Sequence, residues 1–450
     1  MSVVTSVNVS EMSAQNRFSA EFFDPQYEFR AVDDSEWVPL GTVLKQVQYG
    51  LSLAMNDTGL GFPILRMNEL DLGFVKSASR FADIDDAVSL RYLIEPGDVL
   101  FNRTNAFNMV GRTGIALSAQ GTVFASYLIR LRPDPTRVLP EYLTAYLNTP
   151  FGISQVRRRA MRSINQANVS GSEIRKVKIP LLPMSVQGEV RDLLHKSHES
   201  ISTSEKKHAR AIEILNLQHP LISAIPGNIS VVNFRMLLDD RRFDAEFFSP
   251  GSLSFAAGIA DSVTSIGLTS AMLPLSVNID PRKTPDLEYR YVELSNIDPR
   301  TGAIAAGQSR IGSDLPSRAR RRVQSGDVVA SSVLGSLNKV AYVDDAYDGA
   351  IVSTGFFHLR PYKWSGHFVL ALMKSRWVKD QFQRYGNGGI LSAVPDDALE
   401  KIKIPAFSDE TIEEVSRLGE ESQDAVNEGR ALFRAAIELT QQSVCEKIKP

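Results

Sequence analysis

Short apolar runs separated by glycine and proline predict a β-rich first half. Residues 93–101 and 124–131 are rich in strand-forming side chains, and the first run is entered through a Pro-Gly-Asp turn. Residues 140–147 then place apolar side chains at helical spacing behind a proline that suits a first helical turn. The second half repeats this order, with strand patterns at 289–297, 326–330 and 356–359 and a helix over about 367–382.

Two further helical patterns are much longer. From residue 186 to His219, and again from residue 409, apolar side chains recur at three- and four-residue steps for over thirty residues without an internal proline. A helix of that length extends on the order of 50 Å, which favours a coiled coil or a helical spacer. The alternative is two unrelated amphipathic helices, each packed on its own module.

Four landmarks occur twice, in the same order and almost the same register. Arg-Phe-Ser-Ala-Glu-Phe-Phe-Asp-Pro at 17–25 returns 225 residues later as Arg-Phe-Asp-Ala-Glu-Phe-Phe-Ser-Pro at 242–250. Gly-Asp-Val follows at 97–99 and 326–328, Leu-Arg-Pro at 131–133 and 359–361, and Lys-Ile-Pro at 178–180 and 403–405. Four matches in one order indicate two copies of one unit related by a pseudo-two-fold. Such a chain suits a partner that itself has two parts.

The composition favours a soluble globular protein in a reducing compartment. Hydrophobic residues make up 43% and charged residues 23% of the 450 residues, and neither a signal peptide nor a membrane span is indicated. The single cysteine, Cys445, excludes a disulfide framework and a cysteine metal cluster. We therefore expect a cytoplasmic protein without a membrane partner.

Positive charge is clustered although the net charge is only −2. Residues 408–450 hold ten acidic and five basic side chains, so this segment carries −5 and the rest of the chain about +3. Arginine is concentrated at 157–162 and at 318–322. Clustering matters more than total charge for binding phosphate.

Motifs of catalysis are missing from the sequence. It has no phosphate-binding Gly-x-x-x-x-Gly-Lys-Ser/Thr loop, no Gly-x-Gly-x-x-Gly after a strand and no Asn-Pro-Pro-aromatic tetrad, and its histidines lack metal-ligand spacing. Asp98 and Asp327 recur beside glycine, and we interpret them as turn residues that cap their own backbone rather than as nuclease carboxylates. No catalytic residue, metal or cofactor is predicted.

Basic and amide side chains instead predict DNA binding. Arginine clamps phosphates, and arginine, asparagine and glutamine form bidentate contacts with base edges. Any one such residue could simply be a solvated surface residue, but polar, basic loops occur at corresponding places in both halves. The candidates in the two halves are Asn102, Arg103, Asn105, Arg157, Arg158, Arg159, Arg162, Asn165, Gln166, Arg320, Arg321, Lys339, Gln383, Arg384 and Asn387. Since the loops differ while the landmarks match, the halves should read different sequences.

Together these motifs resemble the specificity subunit of a type I restriction-modification system. The resemblance covers almost the whole chain. It rests on the doubled landmarks, Val-Pro-Leu-Gly at 38–41, Gly-Asp-Val-Leu-Phe at 97–101, Ala-Ser-Tyr-Leu-Ile-Arg-Leu-Arg at 125–132, residues 164–169, Lys-Ile-Pro-Leu at 178–181 and Gln187. The second half departs from it, with Ser-Thr-Gly-Phe-Phe at 353–357 and Asp-Glu-Thr at 409–411.

The resemblance implies an α+β fold with two β-rich target recognition domains, each followed by a long helix, and an antiparallel coiled coil between the helices. The implied divisions are an N-terminal segment (1–30), a first domain (31–185), a central spacer helix (186–219), a connecting segment (220–250), a second domain (251–407) and a C-terminal spacer helix (408–450).

The resemblance also implies partners. Each domain would bind half of a bipartite site on double-stranded DNA, and the helices would set the gap and dock two DNA adenine methyltransferase subunits, which a restriction (translocase) subunit can join. The chain itself would not be an enzyme. Two alternatives stay open: a recognition subunit of another phage-defence or DNA-modification complex without a restriction motor, and a self-contained nuclease or methyltransferase.

Overall fold

The computed structural model of the protein describes residues 7–15, 20–27, 32–118, 121–164, 166–218, 229–240, 242–261, 265–305, 307–386 and 392–448. The chain forms two compact units. The first comprises Met1–Glu199 with Glu428–Pro450, and the second comprises Ser200–Asn427. Each unit combines β-sheets with parts of two long helices, so the predicted α+β class is confirmed.

Strands make up most of the first unit. Numbered along the chain, they are β1 (Trp37–Pro39), β2 (Leu44–Tyr49), β3 (Phe62–Leu65), β4 (Leu70–Asp71), β5 (Phe74–Val75), β6 (Arg80–Ala82), β7 (Val99–Asn102), β8 (Thr104–Asn105), β9 (Thr113–Ile115), β10 (Val123–Phe124), β11 (Leu128–Pro133), β12 (Met161–Arg162), β13 (Ala167–Asn168) and β14 (Lys178–Pro180). The main sheet has the order β2-β11-β7-β9-β5-β4. Its central strands β7 and β11 are buried almost throughout, and the two arginines of β11, Arg130 and Arg132, both bind Asp98.

Smaller sheets and helices surround this main sheet. The sheets are β10-β3-β6, β12-β13-β8 and β1-β14. The helices are α1 (Val9–Gln15), α2 (Asp86–Ser89), α3 (Pro140–Asn148), α4 (Pro150–Arg159) and α5 (Gly171–Ile174), followed by the beginning of α6 (Met184–Leu217). Pro140 and Pro150 each lie in a first helical turn, where no backbone N–H is required.

The second unit repeats this construction. Its helices are α7 (Phe234–Asp240), α8 (Pro250–Asp261), α9 (Gly366–Lys374), α10 (Arg376–Tyr385), α11 (Ala398–Lys401) and the beginning of α12 (Asp409–Cys445). Its strands are β15 (Ser265–Gly267), β16 (Met272–Leu275), β17 (Glu288–Val292), β18 (Gln308–Ile311), β19 (Ala319–Arg322), β20 (Val328–Ser331), β21 (Val340–Tyr342), β22 (Ile351–Ser353), β23 (Phe356–Pro361) and β24 (Lys403–Pro405). They form sheets in the orders β16-β23-β20-β21, β18-β17-β22-β19 and β15-β24.

The long helices pack against each other. In the second unit, Ser204 Oγ lies 2.9 Å from Ser422 Oγ, and Gln218 donates to Thr411. Because the residue number rises on α6 as it falls on α12, the helices are antiparallel there. In the first unit, Ser197 Oγ donates to the Gly429 carbonyl at 2.7 Å. The predicted antiparallel helix pair is confirmed.

The structure differs from the sequence prediction in several boundaries. The strand predicted at 93–101 begins only at Val99, because Gly97 has a φ of 88° and closes a turn before it. The same turn recurs at Gly326, with a φ of 90°, so both copies require a residue that tolerates the left-handed region. The single helix predicted over 367–382 is two helices, α9 and α10, separated at the extended Ser375. In the part of the chain that is described, no helix is both long and apolar enough to cross a membrane.

Candidate nucleic-acid interface

The repeated aspartates are structural. Asp98 Oδ2 accepts a hydrogen bond from the Glu95 backbone N–H at 3.0 Å, which confirms the predicted turn, and its buried carboxylate also binds Arg130 and Arg132. Neither residue of that arginine pair was identified from the sequence as its partner. Because Arg130 and Arg132 of β11 both bind it, the Asp98 carboxylate is not available to a substrate.

Asp327 repeats this arrangement in the second unit, except that His358 takes the place of Arg130. Its Oδ2 accepts from the Gln324 backbone N–H at 2.8 Å, and its carboxylate binds Arg360 and, at 2.6 Å, His358 Nε2. Burial alone would raise the pKa of Asp327, but the hydrogen bonds from His358 and Arg360 lower it to about 2. Asp327 is thus a stable anion that ties β20 to β23. Among the described residues, no group of three or more His, Cys, Asp or Glu could hold a metal ion.

A glutamine holds the exit strand of each unit in the same way. Gln155 donates to the Lys178 carbonyl at 2.7 Å and accepts from the Lys178 N–H at 2.8 Å. Gln381 makes both bonds with Lys403, at 2.7 and 3.0 Å. The units therefore share side-chain contacts as well as sequence landmarks, which supports a true structural repeat.

The doubled Ala-Glu-Phe-Phe motif places a phenylalanine under the last turn of a helix. Phe22 is buried, and the guanidinium groups of Arg158 and Arg159 lie 4.4 and 5.6 Å from its ring centroid. In the second unit the guanidinium of Arg384 lies 4.1 Å from the ring of Phe247. Arg158 and Arg384 each stand one residue before the end of their helices, so the two contacts are equivalent. Three candidate DNA-binding arginines therefore pack on these phenylalanines. We call the contacts that recur in both units, made by Phe22 and Phe247, Asp98 and Asp327, and Gln155 and Gln381, the frame of the fold.

Polar and basic candidates of the first unit meet at the sheet β12-β13-β8. Its register places Arg162, Ala167 and Asn105 in one row across the strands. The neighbouring row contains Met161, Asn168 and Thr104. Strands point successive side chains to opposite faces, so these rows lie on opposite sides of the small sheet.

Arg103 is bound next to this sheet. Its guanidinium donates to Asn168 Oδ1 at 3.1 Å and lies 4.8 Å from the ring centroid of Tyr49. Asn168 also donates from Nδ2 to Thr104 Oγ1 at 2.7 Å. The sequence identified Arg103 but not Asn168, Thr104 or Tyr49 as its neighbours, although tyrosine beside clustered arginine is a common feature of nucleic-acid-binding surfaces.

Arg162 and Arg157 share one aromatic ring. The guanidinium of Arg162 lies 3.6 Å from the ring centroid of Phe107, and its Nη2 is 3.3 Å from the hydroxyl of Tyr27. The guanidinium of Arg157 lies 5.7 Å from the same ring and donates to the Asn108 carbonyl at 3.1 Å. Arg162 is exposed and Arg157 is partly buried. Stacking on Phe107 orients the cations without neutralising them.

The other candidates of the first unit have varied surroundings. Gln166 is exposed, and Asn105 accepts a bond from the Ala106 N–H at 2.8 Å. Asn102 is fully buried at the end of β7, so its amide does not reach a surface that DNA could touch. Asn165 lies outside the described residues.

In the second unit, most candidates are bound within the protein. Arg320 pairs with Asp280 at 2.7 Å, and Lys339 Nζ donates to the Ile297 carbonyl at 2.6 Å. Arg321 is buried and binds the Leu275 carbonyl and Asp396. Gln383 is exposed on α10, and Asn387 lies outside the described residues. The arginine run was identified correctly as a cluster, but alternation along β19 turns Arg321 inward, away from any DNA.

Comparison with known proteins gives a partial match. No family model matches the chain. The type I restriction enzyme EcoKI specificity subunit of Escherichia coli (strain K12) is 27% identical over 195 residues, and the StySPI specificity subunit of Salmonella potsdam is 24% identical over 196 residues. Each match covers 42% of this chain and 42% of the relative, so it spans less than half the length of these curated relatives.

A solved structure extends over more of the chain at lower identity. The type I restriction-modification S subunit from M. genitalium covers 93% of this chain and 98% of its own, with 12% identity and a TM-score of 0.37. The inference of relationship therefore depends on the curated sequences. Over the stretch that they share, this chain is similar to type I restriction enzyme specificity subunits, and the resemblance indicated by its repeated motifs is confirmed.

Proposed function

We propose that this chain is the DNA-recognition subunit of a type I restriction-modification complex and has no catalytic activity of its own. One unit binds each half of a bipartite double-stranded site. The observation that carries the proposal is the doubled frame: Phe22 with Arg158 and Phe247 with Arg384 repeat one contact, whereas the loops beside them differ. A repeated scaffold with different loops is suited to two different half-sites.

In the first unit, we assign DNA contact to the side of the fold that carries the β12-β13-β8 sheet. Arg162, Arg157 and Arg103 bring three guanidinium groups to this region. Cations there would neutralise phosphates and supply affinity that falls with salt, while the exposed Gln166 and the partly buried Asn105 are the proposed contacts with base edges. Asn102, being buried, is removed from the proposed contact set.

In the second unit, the proposed contacts are fewer. Gln383 on α10 is exposed, and Arg322 at the end of β19 is exposed beside the buried Arg321. We retain Arg320 as a secondary phosphate contact, because its ion pair with Asp280 is only partly buried. The proposed domain limits remain those predicted from the sequence, with α6 and α12 as the helices between and after the recognition domains.

We further propose that α6 and α12 dock two DNA adenine methyltransferase subunits, which a restriction subunit can join. Both helices carry exposed side chains at intervals along their whole length. Their length would also determine how many base pairs separate the half-sites. The curated relatives are named as specificity subunits, which supports this assignment for a chain of similar sequence.

Methylome sequencing of the host tests the proposal. Strains would carry the intact gene, a deletion, or the gene with Arg162→Ala, and Arg91→Ala, outside the small sheet and outside the docking helices, serves as a matched exposed-arginine control. We expect one bipartite motif whose modification disappears in the deletion strain, decreases in the Arg162 variant and persists in the control. Unchanged modification in the deletion strain, with the methyltransferase expressed, would contradict the proposed function.

Affinity purification of the tagged native chain distinguishes the remaining alternatives. Recovery of a methyltransferase together with a translocating nuclease supports a type I assembly. A methyltransferase or another defence protein without a motor would assign the chain to a different modification complex. Turnover of DNA by the purified chain alone, with magnesium or S-adenosylmethionine, would show that the chain is an enzyme.

A further inference from the structure

The turn between β12 and β13 presents apolar side chains to solvent. Ile164 is 98% exposed and Met161 is 68% exposed. A single exposed apolar residue is ordinary on a protein surface. Here, however, two of them belong to one short hairpin, and Arg162, Ser163 and Gln166 around them are exposed as well. The hairpin therefore projects its apolar residues instead of packing them.

The base of this hairpin is held firmly. Ala167 and Val169 are buried, and the Ser163 N–H donates to the Gln166 carbonyl at 2.7 Å across the turn. Asn168 is fixed by Arg103 and Thr104 at 3.1 and 2.7 Å. A base held in this way needs little further ordering when the hairpin binds, which lowers the entropic cost of association.

The charge near the tip indicates the kind of partner. Arg162 lies in the hairpin itself, and Arg157 and Arg103 lie nearby through Phe107 and Asn168, whereas residues 160–168 and 101–108 contain no acidic side chain. An apolar tip surrounded by cations is complementary to a groove of DNA, where phosphates line the edges and base edges and sugars form the floor.

We propose that the β12–β13 hairpin enters a DNA groove as a wedge, with Ile164 leading and Met161 beside it, and that it loosens the stacking of one base step. This inference rests on the proposed function and adds a recognition mode to it. Apolar wedges of isoleucine and methionine are a known means of deforming a duplex, and the energy of deformation depends on the sequence deformed. Ile164 would thereby contribute to specificity without a hydrogen bond to a base.

A fluorescence experiment tests whether the tip is covered. The three natural tryptophans, Trp37, Trp364 and Trp377, are at most 9% exposed, so the indole of an Ile164→Trp variant would dominate quenching by acrylamide. A random-sequence 40-bp duplex is the first probe, followed by duplexes enriched from a random library by the full-length chain. We expect the quenching constant of the new indole to fall to about half or less on the enriched duplex, because an inserted ring is shielded.

Binding measurements give an independent readout. Ile164→Ser combined with Met161→Ser should weaken binding to the enriched duplex about tenfold, because apolar contact is lost. The salt dependence should stay unchanged, because no phosphate contact is removed. Leu90→Ser is the matched control, since Leu90 is 70% exposed in the same unit but lies outside the small sheet.

The outcomes separate the wedge from the proposed function. If the natural chain binds the enriched duplex while the double variant binds equally well and the indole stays accessible, the wedge is wrong and DNA recognition stands. If no duplex is bound or enriched by the natural chain, alone or with its co-purified subunits, both ideas fail. Loss of a co-purified protein with unaltered DNA binding would instead identify the tip as a protein contact and overturn the wedge.

Discussion

The four arginines of the 157–162 segment should separate into two functional pairs, although the sequence presents them as one cluster. Arg158 Nε donates to the Phe22 carbonyl at 2.6 Å, and Arg159, whose side chain is 13% exposed, binds Glu173. Arg157 and Arg162 lie on Phe107 instead. We expect the second pair to bind phosphate and the first pair to stabilise the fold.

The magnitudes follow from these contacts. Losing one phosphate contact reduces the slope of log K against log salt by about 0.9, so a double Arg157→Ala, Arg162→Ala variant should lose about 1.8. Between 50 and 200 mM salt, the affinity of the double variant should therefore fall about twelvefold less than that of the natural chain. Arg158→Ala removes a charge-assisted hydrogen bond and a cation–π contact, which together stabilise the fold by about 2 kcal/mol.

Two assays on the same purified variants check this division. Fluorescence anisotropy titrations at several salt concentrations give the slope, and urea denaturation gives the free energy of unfolding. The Arg157/Arg162 variant should lose slope and keep its stability, whereas Arg158→Ala should lose stability and keep its slope. If Arg158→Ala lowered the slope as much as Arg162→Ala while remaining fully stable, the assignment from packing would be refuted.

Three further predictions concern stability, each measured by urea denaturation. Burial lowers the pKa of Lys374 from 10.5 to about 7. Between these two pH values the unfolded chain keeps the Lys374 proton and the folded chain does not, so the free energy of unfolding should rise with pH by up to about 1.4 kcal/mol per pH unit. Lys374→Met should remove that rise, and an unchanged pH profile would contradict it. Phe247→Ala should cost about 3–5 kcal/mol, because the ring is buried, whereas Phe243→Ala, at 71% exposure, should cost almost nothing; equal losses would disprove the frame contact. The lowered pKa of Asp327 contributes stability above pH 4 that is lost as the pH falls towards 2, and Asp327→Asn should abolish this contribution; if the acid profiles of variant and natural chain coincide, the carboxylate has no such role.

The landmarks of the frame could be recognised from the sequence because they occur twice, but most of the contacts that hold the frame were not predicted. Phe22 and Phe247, Asp98 and Asp327, and Gln155 and Gln381 each occupy matching positions and make matching contacts. A repeated residue is informative when its partner is repeated too. The division between α9 and α10 was missed because Arg376 stands where Pro150 marks the same junction in the first unit, although the repeat could have transferred that signal.

The candidate interface was predictable only in part. β8, β12 and β13 have two residues each, too short for an alternating pattern to identify a strand. The burial of Asn102 depends on which strands cover β7, and composition does not encode this. The stacking of Arg162 on Phe107 likewise joins residues that are distant in sequence. Sequence therefore identified a basic region, while tertiary contacts decide which of its arginines are presented to solvent.

The frame also explains how two similar units could read different DNA. Arg158 and Arg384 each precede the last residue of equivalent helices and lie 4.4 and 4.1 Å from the equivalent rings of Phe22 and Phe247. Counted from the ends of α4 and α10, Met161 and Ile164 correspond in sequence to Asn387 and Ile390, so the two segments differ at the first of these positions and agree at the second. Substitutions just beyond the helix end would change what a unit recognises and leave intact the phenylalanine, glutamine and aspartate contacts that fold it.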